Sequence, residues 1–133
     1  MALVFLDANV PMYLIGAEHP LKTNAAAALQ RLTLERTRLV TDAEVFQEVL
    51  HRYIAIRRIQ AIQPAFDLLE GLTDEVFSID FEIVKDARSF SFSYPELSAR
   101  DAIHLATMTR HGIKRVLSFD EGFDLIPGIQ RIS

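Results

Sequence analysis

The chain reads as an α/β protein, a three-layer α/β/α arrangement around a central, mostly parallel sheet of four to five short strands. Three observations predict it. Short apolar runs rich in strand formers recur near residues 3–6, 38–41, 75–79, 115–119 and 129–132. Between them lie longer segments whose apolar residues repeat at helical spacing. Finally, strands alternating with helices call for a parallel sheet covered on both faces, and right-handed crossovers bring the strands' carboxyl ends to one edge.

Residues 3–9, Leu-Val-Phe-Leu-Asp-Ala-Asn, open the chain with four apolar residues in a row. That run predicts a strand buried on both faces. It stops abruptly at Asp7 and Asn9, and Pro11 suits the first turn of a short helix over 10–16. An alanine-rich helix is predicted over 21–36, carried by Ala25, Ala28, Leu29 and Leu32, and a second strand over 38–41. Thr41-Asp-Ala-Glu44 matches a capping box and opens a longer helix to about residue 58, with Val45, Phe46, Val49, Leu50, Tyr53 and Ile54 as its apolar stripe. Pro64 sits early in a helix that ends at Gly71, and residues 75–79 form the third strand. Asp80 caps the helix behind it, residues 91–97 form a loop, and Ser98-Ala-Arg-Asp101 caps an apolar helix that stops at Gly112. The fourth strand covers 115–119; a turn at Glu121-Gly122 and a tail strand near 129–132 close the chain.

Composition bounds the function. At 133 residues, half of them apolar, one domain over residues 1–133 is expected, with no linker or repeat. The 14 basic and 18 acidic residues give a net charge of −4, which argues against a general polyanion binder. With no cysteine, disulfides, thiolate metal sites and cysteine nucleophiles are excluded. No apolar run approaches a membrane span, and the amino terminus lacks a signal-peptide pattern, so a cytoplasmic protein is expected.

The acids carry the chemistry. Asp7 follows the first strand and Asp120 the fourth, each of them equally suited to a cap or a turn. Glu44 fits the capping box of Thr41. Glu48, one turn on, has Arg52 at i+4, a pairing worth about 0.2–0.5 kcal/mol, or stands free at a pocket edge. Asp101 fits the Ser98 box, yet its helix is apolar on most sides, and a carboxylate buried there costs several kcal/mol without a cation or donors. Two strand ends and two helix starts thus present carboxylates on one predicted edge. Crowded like charges raise one another's pKa, a hard divalent cation relieves them, and all-oxygen ligands select Mg²⁺ or Mn²⁺. Setting these four acids aside leaves 14 acidic against 14 basic residues. A polyanionic substrate is therefore compatible with the charge total.

Residues 3–9 (LVFLDAN), 41–50 (TDAEVFQEVL), 98–107 (SARDAIHLAT) and 117–124 (LSFDEGFD) resemble the PIN-domain family, most closely the VapC-like toxins of toxin–antitoxin pairs. The resemblance spans nearly the whole chain, and Asp-Ala-Ile-His-Leu-Ala followed by a strand and Ser-Phe-Asp is its most specific part. It implies a metal-dependent nuclease with Asp7, Glu48, Asp101 and Asp120 as catalytic, metal-binding residues, Glu48 being favoured over Glu44 by its Glu-Val-Leu context. Asn9 and Ser118 are then polar support, Asp124 an accessory, and the cofactor Mg²⁺ or Mn²⁺. The implied reaction is hydrolysis of RNA phosphodiester bonds. The implied partners are RNA, a second copy of the chain in a homodimer and a cognate antitoxin, with the early helices and residues 59–71 as candidate contacts.

Arg52 and Arg100, and beyond them Arg57, Arg58 and Lys114, are candidate substrate contacts, each equally readable as a solvated surface charge. The four histidines show no metal-ligand spacing; His104 reads as a packed histidine able to orient Asp101. Two other functions compete. A PIN-like scaffold without turnover would act as a binding module. A receiver-like domain would use Asp80 as phospho-acceptor, but it wants a lysine at the carboxyl end of the last strand, and Lys114 stands at the beginning.

Overall fold

β1 (Leu3–Leu6) is the middle strand of the molecule, here a computed structural model describing residues 2–133. Val4, Phe5 and Leu6 have no solvent exposure, as a strand covered on both faces requires. The chain continues through α1 (Asn9–Ile15), α2 (Pro20–Leu34), β2 (Arg38–Asp42), α3 (Ala43–Ala55) and α4 (Ile62–Leu72). Then follow β3 (Glu75–Phe77), α5 (Phe81–Ser93), α6 (Ala99–Arg110), β4 (Arg115–Leu117) and β5 (Gln130–Ile132). Short 3-10 segments at Ile59–Ala61 and Glu121–Leu125 precede α4 and β5. The strand order is β3-β2-β1-β4-β5 and every pairing is parallel.

That order decides where a site can form. The chain first builds outward from β1 to β2 and β3, then returns to place β4 on the other side of β1. The reversal leaves a crevice beyond the carboxyl ends of β1 and β4, where open α/β sheets take their ligands. Helices cover both faces in a three-layer α/β/α arrangement. α5 packs on α6, and α1 packs on α2 and α4. α6 is the most enclosed, with Asp101, Ala102, His104, Leu105, Ala106, Thr107 and Met108 all buried. No helix among the described residues is long and apolar enough to cross a membrane.

Local departures from the sequence expectations have local causes. Asp42, not Thr41, caps α3: its Oδ1 accepts from Val45 N–H at 3.0 Å, whereas the Thr41 hydroxyl donates to Leu6 O at 2.8 Å and ties β2 to β1. Glu44 therefore has no place in a Thr41 capping box. α2 and α3 end earlier than expected because Arg36 and Arg57 adopt left-handed conformations, with φ of 58° and 57°. The third and fourth strands stop at Phe77 and Leu117, two residues short, and α5 runs on to Ser93 into the expected loop. The Ser98 and Asp80 caps form as expected, on Asp101 N–H and Ile83 N–H. Asp80 also accepts from Arg110 at 2.8 Å, which leaves it committed to helix ends rather than poised as a phospho-acceptor.

Candidate metal centre

Leu6 pairs with Leu117 across β1 and β4, so the residues that follow leave the sheet together. Asp7 N–H donates to Leu117 O at 3.1 Å. The Asp7 carboxylate is then gripped on both oxygens, Oδ2 by the Ser118 hydroxyl at 2.6 Å and Oδ1 by Ala8 N–H at 2.8 Å. It does not cap α1, whose cap residue is Ala8 without a side-chain bond. Ser118 Oγ also accepts from Asp120 N–H at 3.0 Å and from the Asn9 amide at 3.2 Å, while Asn9 Oδ1 receives Phe119 N–H at 3.4 Å. Asn9 and Ser118 thus brace the two strand ends against each other.

Asp101 enters from the first turn of α6, 6% exposed. Its carboxyl is hydrogen-bonded to that of Asp120, and its pKa is pushed up to about 8. Burial is the main cause, followed by that shared bond and the charges of Asp7 and Asp120. Asp120 is held below its usual range, first by the hydrogen bond from Asp101 and also by Gly122 N–H. Gly122 permits this approach: a Cβ there would lie 3.1 Å from Asp120 Oδ1 and 3.7 Å from Asp101 Oδ2.

Glu48 faces the cluster from α3, its Oε1 3.5 Å from Arg100 Nε and 3.7 Å from His104 Nε2. Its ion-pair partner among the described residues is Arg100 rather than the expected Arg52. Glu44 is half-buried beside the same group, and burial raises its pKa. Asp124 stands apart, in a two-pronged pair with Arg131 at 3.0 Å on both oxygens. Arg131 in turn donates to Ser118 O, so Asp124 steadies the end of β4 from outside.

His104 holds the centre and was placed differently by the sequence reading. It does not orient Asp101. Its Nδ1 lies 2.8 Å from Oδ2 of the fully buried Asp42, and its Nε2 lies 3.7 Å from both Asp7 Oδ1 and Glu48 Oε1. Burial alone would lower the imidazole pKa. The hydrogen bond and charge of Asp42, with Glu48 and Asp7, outweigh it and hold the ring well above its ordinary value. Asp7 moves up as well, chiefly through burial. Asp42 is the residue the sequence reading missed. An acid directly after an apolar strand, the signal noticed at Asp7 and Asp120, was present there too but was absorbed into the capping box.

Beside Glu48 runs a cleft of about 420 Å³ bordered by Asn9, Tyr13, Glu48, Arg52, Arg58 and Arg100. Arg57 is not on its wall, and Lys114 precedes β4 at the far end of the sheet, away from Ser118. The residues fit a divalent cation. Asp7, Glu48 and His104 bring ligand atoms within 4.8 Å of one another, and Asp101 is driven towards its neutral form by burial and by the carboxylates beside it.

Comparison with known proteins accords with this geometry. The PIN domain family profile matches residues 4–129. Ribonuclease VapC13 of Mycobacterium tuberculosis is 51% identical over 131 residues, covering 98% of this chain and all of that protein. The crystal structure of VapC20 from the same organism, a Sarcin-Ricin loop cleaving toxin, superposes with a TM-score of 0.75 at 20% identity, over 92% of this chain and 93% of that one. A toxin–antitoxin complex from Klebsiella pneumoniae gives 0.70 at 19% identity, over 98% and 96%. With a profile match across nearly its full length and a relative at half identity, the chain belongs to the PIN-domain family.

Proposed function

We propose that the chain is a divalent-cation-dependent endoribonuclease, the toxin of a type II toxin–antitoxin pair, with Asp7, Glu48, Asp101 and Asp120 as its catalytic, metal-binding carboxylates. The observation that carries this reading is the gathering of Asp7, Asp101 and Asp120 at the sheet's reversal point, where Asp7 and Asp120 both press on the protonation of Asp101. VapC13, a named ribonuclease, supports the RNA substrate.

Mg²⁺ or Mn²⁺ held there supplies positive charge for the phosphoryl oxygens and makes a water more acidic. The remaining work falls to the chain's own groups. Ser118 and Ala8 N–H fix both oxygens of Asp7, so its carboxylate meets the substrate in one orientation. The Asp101–Asp120 pair holds one proton between two carboxyls and can release it when positive charge arrives. Arg52 and Arg58 on the cleft wall, with Arg100 beside Glu48, offer guanidinium groups to the phosphates on either side of the scissile bond. Tyr13, packed edge-on against Phe119, borders the same cleft and can meet a base.

For the antitoxin and the homodimer, support comes from the Klebsiella toxin–antitoxin complex and from exposed apolar residues Leu50, Ile54, Ile56 and Ile59 along α3 and the turn behind it. The decisive experiment is metal-dependent RNA cleavage by the wild type beside Asp7→Asn and Asp101→Asn. Cleavage by the wild type alone, abolished by EDTA, is expected. Equal cleavage by all three proteins overturns the assignment.

A further inference from the structure

We propose that His104 Nε2 is itself a metal ligand, joining Asp7 and Glu48 in a mixed nitrogen–oxygen site that prefers a first-row transition cation such as Mn²⁺ or Zn²⁺ to Mg²⁺. The inference rests on the cation-dependent reading above and goes beyond an all-carboxylate cluster.

The ring is aimed before any ion arrives. The Asp42 carboxylate has no proton to give, so Nδ1 is the donor in their 2.8 Å contact. That places the remaining nitrogen, Nε2, towards Asp7 and Glu48. A carboxylate holding the far nitrogen of a histidine is the usual support behind a metal-bound imidazole, where it sets both tautomer and orientation. Nothing in the fold requires Asp42 to do this for helix capping alone. Its Oδ1 caps α3, and Oδ2 is left for His104.

Nε2 is fully buried and has no hydrogen-bond partner among the described residues. Asp7 and Glu48, each at 3.7 Å, are too far for a hydrogen bond but favour a proton on Nε2 when no ion is present, and an ion bound there would take that proton's place and release it to solvent. The spacing suits a shared ion instead. Nitrogen and oxygen ligands at about 2.0–2.2 Å from a cation lie roughly 3.4 Å apart in a tetrahedral site such as that of Zn²⁺ and roughly 3 Å apart in an octahedral site such as that of Mn²⁺. Closing the two 3.7 Å nitrogen–oxygen distances to those values takes about 0.3–0.7 Å. The three ligand atoms come from β1, α3 and α6, so the site is an assembly of the whole fold. Glu48 borders the open cleft, which gives an ion its way in. Imidazole nitrogen favours transition cations, whereas Mg²⁺ prefers oxygen and water, and this sets the selectivity.

The alternative is a purely internal imidazolium that bridges Asp7 and Glu48 by charge. Pulsed EPR of Mn²⁺ added to the wild type separates the two. We expect a ¹⁴N modulation that converts to the ¹⁵N pattern when histidine is isotopically labelled. It should persist when the exposed His19, His51 and His111 are all changed to Gln, which tests His104 without altering it. In His104→Gln the modulation should vanish and Mn²⁺ affinity by calorimetry should fall about 10–100-fold, with a smaller loss for Mg²⁺. Mn²⁺ bound to the wild type without histidine coupling overturns the ligand assignment and leaves the cation-dependent reading intact. No Mn²⁺ binding above that of Asp7→Asn overturns both. Should His104→Gln not fold, the labelled and triple-variant samples still decide.

Discussion

Asp101→Asn separates the chemistry of the cluster from its cost to the fold. In the cation-free protein, Asp101 holds its proton up to about pH 8, against 3.8 for an ordinary aspartate. A folded pKa above the unfolded one means that the native state keeps a proton the unfolded chain has already lost. Stability therefore declines as pH rises from about 4 through 8. At roughly 1.4 kcal/mol per pKa unit the gap is large, and Asp120, held below its usual range, is ionised in both states above about pH 5 and adds nothing to the slope there. The net loss is on the order of a few kcal/mol by pH 8. For a chain of this size that shifts Tm by on the order of 10 °C. Asparagine cannot ionise, so Asp101→Asn should lose much less over the same range. Differential scanning calorimetry in EDTA, at pH 5 and pH 8, is the assay. Mg²⁺ or Mn²⁺ should then raise the wild-type Tm at pH 8, by about 2.7 kcal/mol of added stability at a hundredfold excess over Kd, and raise the variant less. Parallel pH profiles for the two proteins would refute the reasoning, because the carboxyl would then not be under pressure from its neighbours.

Three further outcomes are expected. Ser118→Ala removes a 2.6 Å bond to Asp7 and the acceptor for Asp120 N–H, so cation affinity should drop about 10–100-fold by calorimetry, with about 1–3 kcal/mol lost in urea unfolding. Gly122→Ala puts a methyl 3.1 Å from Asp120 Oδ1, so that carboxylate must give by a few tenths of an ångström; cleavage should fall while Tm changes little. Arg52→Ala should weaken RNA binding uniformly across sequences and reduce the slope of log K against log salt by about one, as read by filter binding.

Much of the architecture was readable because its signals are local. The run Leu3–Leu6 could only be a strand covered on both faces, and the Ser98 cap announced α6 at the residue where it begins. Which acids meet was legible for a different reason: strand ends in a parallel sheet share an edge, so Asp7 and Asp120 were constrained to be neighbours once the strands were found. The Asp42–His104 pair was not legible. Its members are 62 positions apart, and each has a sufficient local explanation, a cap for Asp42 and a packed core residue for His104. Thr41 was misread for a similar reason, since its hydroxyl answers to Leu6 on the neighbouring strand rather than to its own helix. The ends of α2 and α3 escaped because nothing about arginine advertises a left-handed conformation at Arg36 or Arg57.

The bond between Ser118 and Asp7 joins positions 111 residues apart, and Asp120 comes later still. No chain emerging from the ribosome can complete the cluster before Asp120 has been made. The cation pocket therefore cannot assemble on any shorter nascent chain, however early β1 and α3 take shape.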